Sequence, residues 1–189
     1  DAPVLTLIGA QSTVEDSTII ISLQASDVDI VTNGQSLLYS ATSSAESLVT
    51  VSVFSGDSTG SGSITFDVQS NQNGSADITV TVTDDGTGTL TDIETFTLMV
   101  NAINDAPVLT LIGAQSTVED STIIISLQAS DVDIVTNDQS LTFSAISFDS
   151  SLVIPSTTST GDSTSTLTLM VLSNQNGSAD ITVTVTDDG

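Results

Sequence analysis

Residues 105–137 repeat residues 1–33 without a single change, as DAPVLTLIGAQSTVEDSTIIISLQASDVDIVTN. A second block, NQNGSADITVTVTDDG, stands at 71–86 and again at 174–189. The first pair is offset by 104 residues and the second by 103, so one position is lost in the variable middle, 38–69 against 142–172. A period of about 100 residues is too long for a solenoid unit and suits one autonomous domain per repeat. The chain therefore reads as a full repeat over 1–104, with a linker at 101–107, and a second repeat over 105–189. The second stops before any equivalent of 87–104, and the whole reads as a piece cut from a longer array.

The strand pattern is strong. SADITVTVTDDG alternates Ile78, Val80 and Val82 with Thr79, Thr81 and Thr83, and PVLTLIG, STIIISLQA, SITFDV and ETFTLMV are β-branched or alternating runs. Gly9, Asn33-Gly34, Gly56-Asp57, Asn73-Gly74 and Asp85-Gly86 punctuate them as turns. No segment carries a 3.6-residue apolar period. The spacing predicts seven strands per repeat, roughly 3–8, 17–24, 36–42, 47–54, 62–69, 77–83 and 93–101. That makes an all-β chain of tandem antiparallel β-sandwiches of immunoglobulin-like type, the second lacking its last strand. Without Cys or Trp, the core is aliphatic and has no disulfide.

Charge narrows the function. The chain holds 24 Asp and Glu and no Lys, Arg or His, for a net charge of −24. Nucleic-acid binding needs cations against phosphates, and docking on anionic lipid needs them too. A hydrophobic content of 38% argues against acidic disorder. No apolar run is long enough to span a membrane. Folding then faces carboxylate self-repulsion with no side-chain cation to relieve it. Bound metal is the remedy that clustered carboxylates favour, and hard oxygen donors select Ca²⁺.

In a sandwich entered from the top, the loops after the first and fifth strands lie at the bottom. Those after the second and sixth lie at the top. Glu15 and Asp16 then fall at the bottom of the first repeat. Asp131, Asp133 and Asp187-Asp188 fall at the top of the second, with Asn104-Asp105-Ala106-Pro107 between. Three acidic segments are thus expected to converge on the junction and share Ca²⁺. Asp27, Asp29 and Asp84 are the first repeat's counterparts of Asp131, Asp133 and Asp187.

The order VEDS, ASDVD, VTVTDDG, NDAPV resembles the bacterial cadherin-like repeats of large secreted adhesins, including those of the RTX type. The resemblance covers the whole chain. It implies Ca²⁺ at domain junctions and a role as an extender or adhesive module on the cell surface. Carried over, Glu15 matches the acidic ligand at the base of the upper domain, and Asn104 and Asp105 match the linker Asn-Asp. Asp131 and Asp133 match the Asp-x-Asp of the lower domain, and Asp187 matches the Asp after the sixth strand. Ala106 and Ala102 replace linker Asn and Asp of animal cadherins, and their Asp-Arg-Glu before the sixth strand is absent, so fewer ions per junction are expected.

Other signals are weaker. DVDIVTN imitates the start of an EF-hand, but Val31, Thr32 and Leu38 occupy positions that need an oxygen ligand, Gly and Glu. Asn73-Gly74-Ser75 and Asn176-Gly177-Ser178 fit a glycosylation acceptor and fit a turn better. The absence of His, Cys and Lys removes the commonest bases and nucleophiles, so no enzyme is expected. The reading is a calcium-stiffened extender of a secreted or surface-displayed bacterial adhesin. Its partners would be neighbouring repeats of the same chain and an adhesion target that the sequence does not specify. The alternative is a subunit of a self-assembling extracellular filament or matrix, with a strand donated between like chains.

Overall fold

The computed structural model describes every residue except 56–58, so the Gly56-Asp57 turn lies outside the described residues. The chain divides into two compact units, Asp1–Ile103 and Asn104–Gly189. Unit 1 runs β1 (Val4–Leu5), β2 (Gln11–Val14), β3 (Thr18–Ser26), α1 (Val28–Asn33), β4 (Leu37–Ser43), β5 (Val49–Ser55), β6 (Ser61–Val68), β7 (Gly74–Asp84) and β8 (Thr91–Asn101). These form two sheets, ordered β1-β3-β6-β5 and β2-β8-β7-β4. All pairings are antiparallel except β2 with β8.

The period-2 pattern decides which faces meet. Ile78, Val80 and Val82 of β7 are fully buried, while the threonines between them are only partly covered. Opposite them, Ile64 and Phe66 of β6 and Leu23 of β3 complete the core. Phe66 meets Phe96 of β8 edge to face, with centroids 6.2 Å apart at 87°. Each fully buried side chain of this size contributes about 1.5–3 kcal/mol of apolar transfer energy.

Tyr39 lies in this core and donates its hydroxyl to the carbonyl of Gly60 at 2.6 Å. Burial pushes its phenol pKa up. Gly60 has φ +76°, and a Cβ there would fall 2.1 Å from the Ala25 carbonyl oxygen, so only glycine fits. The second unit has Phe143 at the equivalent position. Tyr39→Phe should cost only about 1 kcal/mol in urea unfolding, because the Gly60 carbonyl still accepts from the Ala25 N–H at 2.9 Å.

Unit 2 runs β9 (Val108–Leu109), β10 (Thr122–Ser130), α2 (Asp133–Thr136), β11 (Thr142–Ser147), β12 (Val153–Gly161), β13 (Thr164–Val171) and β14 (Ile181–Thr186). One sheet is ordered β12-β13-β10-β9, and the other holds β11 and β14 alone. No described residue stands where β8 stands in unit 1. Gln115–Val118, identical to β2, form no strand, and β14 has six residues where the identical stretch in β7 has eleven. Ile181, Val183 and Val185 are half-buried where their unit 1 counterparts are sealed. An open groove of about 810 Å³ results, lined by Leu109, Ile112, Ile123, Ile181 and Val183 among others.

Two further differences from the sequence reading are local. The predicted loop after the second strand contains α1 and α2, and Gln11–Val14 forms a short strand that was not expected. At the opposite pole of each unit a staple is repeated. Asp16 takes φ 56° and accepts from the Asn71 N–H at 3.1 Å, and Asp120 takes φ 59° and accepts from the Asn174 N–H at 3.0 Å.

Candidate metal centre

Each unit gathers its Asp-rich segments at one end, where the loop after β3 or β10 meets the residues after β7 or β14. In unit 1, Asp27 is the N-cap of α1, with extended backbone (φ −147°, ψ 134°) and Oδ1 accepting from the Asp29 N–H at 2.8 Å. Gly34 closes that helix in the left-handed region at φ 69°. Asp29 accepts from Asn33 Nδ2 at 2.9 Å through Oδ1 and pairs through Oδ2 with the amino group of Asp1, which holds its carboxyl below the usual range. Asp84 is buried, its Oδ1 accepting the N–H groups of Gly86 and Leu90, both at 3.1 Å. Asp85 clasps Ser36, accepting its N–H at 2.9 Å and its hydroxyl at 2.6 Å.

Unit 2 repeats the arrangement with its linker in place. Asp131 Oδ1 accepts from the Asp133 N–H at 2.9 Å. Asp133 is 1% exposed, its Oδ2 accepting from the Asp105 N–H at 2.7 Å and its Oδ1 from Asn137 Nδ2 at 2.8 Å. Asp187 Oδ1 accepts from Asn104 Nδ2 at 2.9 Å and from the Gly189 N–H at 3.1 Å, and the Asn104 bond is the main cause of its lowered pKa. Asn104 in turn accepts from Gln139 Nε2 at 2.8 Å. Asp188 clasps Ser140 as Asp85 clasps Ser36.

Asn104, Asp105, Asp131, Asp133 and Asp187 are thus linked through one hydrogen-bonded loop system of unit 2. Asp27, Asp29 and Asp84 share the matching end of unit 1, all within electrostatic reach of the Asp1 amino group. Glu15 is elsewhere. It lies at the opposite end of unit 1, 2% exposed, its Oε1 accepting from the Ile103 N–H at 2.7 Å. Its twin Glu119 is exposed, with no described residue of unit 2 in the place of residues 101–103.

Among the described residues, no three acidic side chains stand together as a metal-binding group. The donor chemistry still fits a hard cation. Asp27 Oδ2, Asp131 Oδ2, Gln35 Oε1 and Gln139 Oε1 are buried oxygens without a hydrogen-bond partner. Buried polar atoms in folded proteins are almost always paired. These four atoms fall at the same two positions in both units, and all are oxygens of the kind Ca²⁺ coordinates. Bound there, Ca²⁺ would supply positive charge against the loop carboxylates, with Asp27 or Asp131 as the anchoring ligand.

Sequence reading missed the two glutamines and a second set of working carboxylates. Glu94 accepts from the Ile8 N–H at 2.7 Å and Asp92 from the Leu5 N–H at 2.8 Å, fastening the N-terminal segment to β8. An acidic residue in a strand otherwise built of Thr and apolar residues, as in TDIETFTLMV, was the available signal.

Comparison with solved structures returns cadherin repeats. Mouse cadherin-23 EC22-24 matches with a TM-score of 0.53 at 14% identity over 97% of this chain and 65% of that one. Human CDH23 EC21-23 matches with a TM-score of 0.52 at 14% identity over 93% of this chain and 55% of that one. The protocadherin GammaB4 extracellular domain gives 0.48 at 21% identity over 100% of this chain and 32% of that one. The chain spans less than two thirds of each, and likeness at such identity shows the fold alone. No curated protein matches the sequence. A family model described as the bacterial Ig domain matches residues 1–98. With its sandwich, its cadherin-like fold and that match, the chain belongs to the bacterial Ig domain family.

Proposed function

We propose that this chain is a stretch of calcium-dependent structural repeats from a secreted or surface-displayed bacterial protein, acting as an extender of an adhesin and not as a catalyst. The observation that carries the reading is the buried, unpartnered carboxylate oxygen of Asp27, reproduced at Asp131 in the other unit. An acidic oxygen withdrawn from water without a donor is costly unless a cation faces it, and this chain has no cationic side chain to offer. The near-identity of the repeats supports a spacer, since length then comes from duplication and no unit needs a unique surface. Under this reading Ca²⁺ is held by the Asp-rich end of each unit, with Asn104, Asp105, Asp131, Asp133 and Asp187 as the second unit's set. Calcium binding would then order the linker and stiffen the array.

The test is small-angle scattering of the chain in EDTA and across a Ca²⁺ titration. Added Ca²⁺ should lengthen the particle and narrow its distribution of dimensions. Identical profiles throughout would remove the extender reading.

A further inference from the structure

We infer that the side-chain carbonyls of Gln35 and Gln139 are calcium ligands, each serving the same ion as Asp27 or Asp131. The inference rests on the calcium reading above and adds a ligand type that the carboxylate pattern does not contain. Both Oε1 atoms are buried and unpartnered, at equivalent positions in the two units.

The orientation of the Gln139 amide follows from a relay. Asp187, a carboxylate, can only accept, so Asn104 presents Nδ2 to it at 2.9 Å. Asn104 Oδ1 therefore faces Gln139 and takes Nε2 at 2.8 Å. The nitrogen of Gln139 is thereby committed, and its carbonyl oxygen is the atom left over. The backbone ties the same residue to the acidic loop, since the Gln139 N–H donates to the Asp133 carbonyl at 3.4 Å, as the Gln35 N–H does to the Asp29 carbonyl.

The glycine ending each Asp-Asp-Gly keeps the amide in place. A Cβ on Gly86 would fall 2.3 Å from Gln35 Nε2, and one on Gly189 would fall 2.0 Å from Asn104 Oδ1 and 2.3 Å from Gln139 Nε2. A side chain at either glycine would push the amide off the loop. Coordination chemistry gives the reason for an amide here. Calcium needs 6–8 oxygens, yet no three carboxylates are gathered among the described residues. A neutral amide adds a donor without adding to a charge of −24.

The experiment compares the unaltered chain with Gln35→Leu/Gln139→Leu, Gln35→Glu/Gln139→Glu and Asp27→Asn/Asp131→Asn. Ca²⁺ affinity is measured by calorimetry, and the number of metal-bound waters by Tb³⁺ luminescence lifetimes in H₂O and D₂O. Leucine preserves bulk, and unfolding in EDTA checks that the fold is intact. The leucine pair should bind Ca²⁺ roughly tenfold or more weakly, with additional water on Tb³⁺, and the glutamate pair should restore affinity. Unchanged affinity and water count in the leucine pair, with binding lost in the Asn pair, would overturn the glutamine assignment and leave the calcium reading standing. Absence of Ca²⁺ and Tb³⁺ binding by the unaltered chain would overturn both.

Discussion

A chain extended past Gly189 by a copy of residues 87–103 will unfold unit 2 at the urea concentration that unfolds unit 1. The edges of the groove in unit 2 are identical to those that hold β8 in unit 1, namely 111–119 against 7–15 and 174–189 against 71–86, while its floor has Leu167 and Leu169 where unit 1 has Ile64 and Phe66. An added β8 sequence therefore meets the same strand edges, with Leu169 in place of Phe66 beneath its Phe. It brings Phe96, Leu98 and Val100, each 6% exposed or less in unit 1. Removing the first two from the added copy, by Ala at both positions, should cost about 3–5 kcal/mol for Phe and 2–5 for Leu. Amide exchange gives a sharper readout than the midpoint. Residues 115–118 and 177–180 should become protected only when the intact copy is present, as a new parallel strand and a lengthened β14 form. Persistent fast exchange at those residues would show that the groove does not accept the strand.

Calcium at about 10 mM will raise the melting temperature of the chain by roughly 10–20 °C over EDTA. A site with the affinity of extracellular calcium modules, about 10⁻⁴ M, would be at a hundredfold excess. Linkage then gives about 2.7 kcal/mol, and a domain of this size shifts by roughly 4–8 °C per kcal/mol. Two contributions are separable. Screening of 24 negative charges responds to any salt, whereas ligation responds to Ca²⁺ alone. Sodium chloride at matched ionic strength should give a smaller shift, and Asp27→Asn/Asp131→Asn should reduce the Ca²⁺ response to the sodium chloride level. Equal shifts in both salts would reduce the acidic loops to solvated turns.

The two repeats are a natural experiment in what sequence alone can tell. Ile78, Val80 and Val82 announced their buried face because alternation is a local signal, and the main strands were legible for the same reason. Gln11–Val14 was not, because four residues of Gln, Ser, Thr and Val carry little pattern. The same four residues at 115–118 form no strand. That segment is a strand only where β8 supplies hydrogen bonds, which is a non-local cause. Helix α1 has capping residues in Asp27 and Gly34, but its six residues are too few for an apolar period. In the second unit Asp138 stands for Gly34 and holds φ 61°, and the helix there is shorter.

At the candidate centre, the acidic residues were legible from their spacing in Asp-x-Asp and Asp-Asp-Gly. The topology did place them at loop ends. Gln35 and Gln139 were not legible, because a glutamine in a polar loop has no pattern to distinguish it. Only the burial of its carbonyl, against a glycine some 50 residues away in sequence, singles it out.

The repeated blocks have a consequence at the level of DNA. Where neighbouring units share the identical 33-residue block, unequal recombination within it adds or deletes one whole period of 104 residues in frame. Each crossover product keeps the two strand edges that pair with β8, because residues 7–15 and 71–86 recur unchanged at 111–119 and 174–189. The number of repeats can therefore change in whole-domain steps that keep those edges intact.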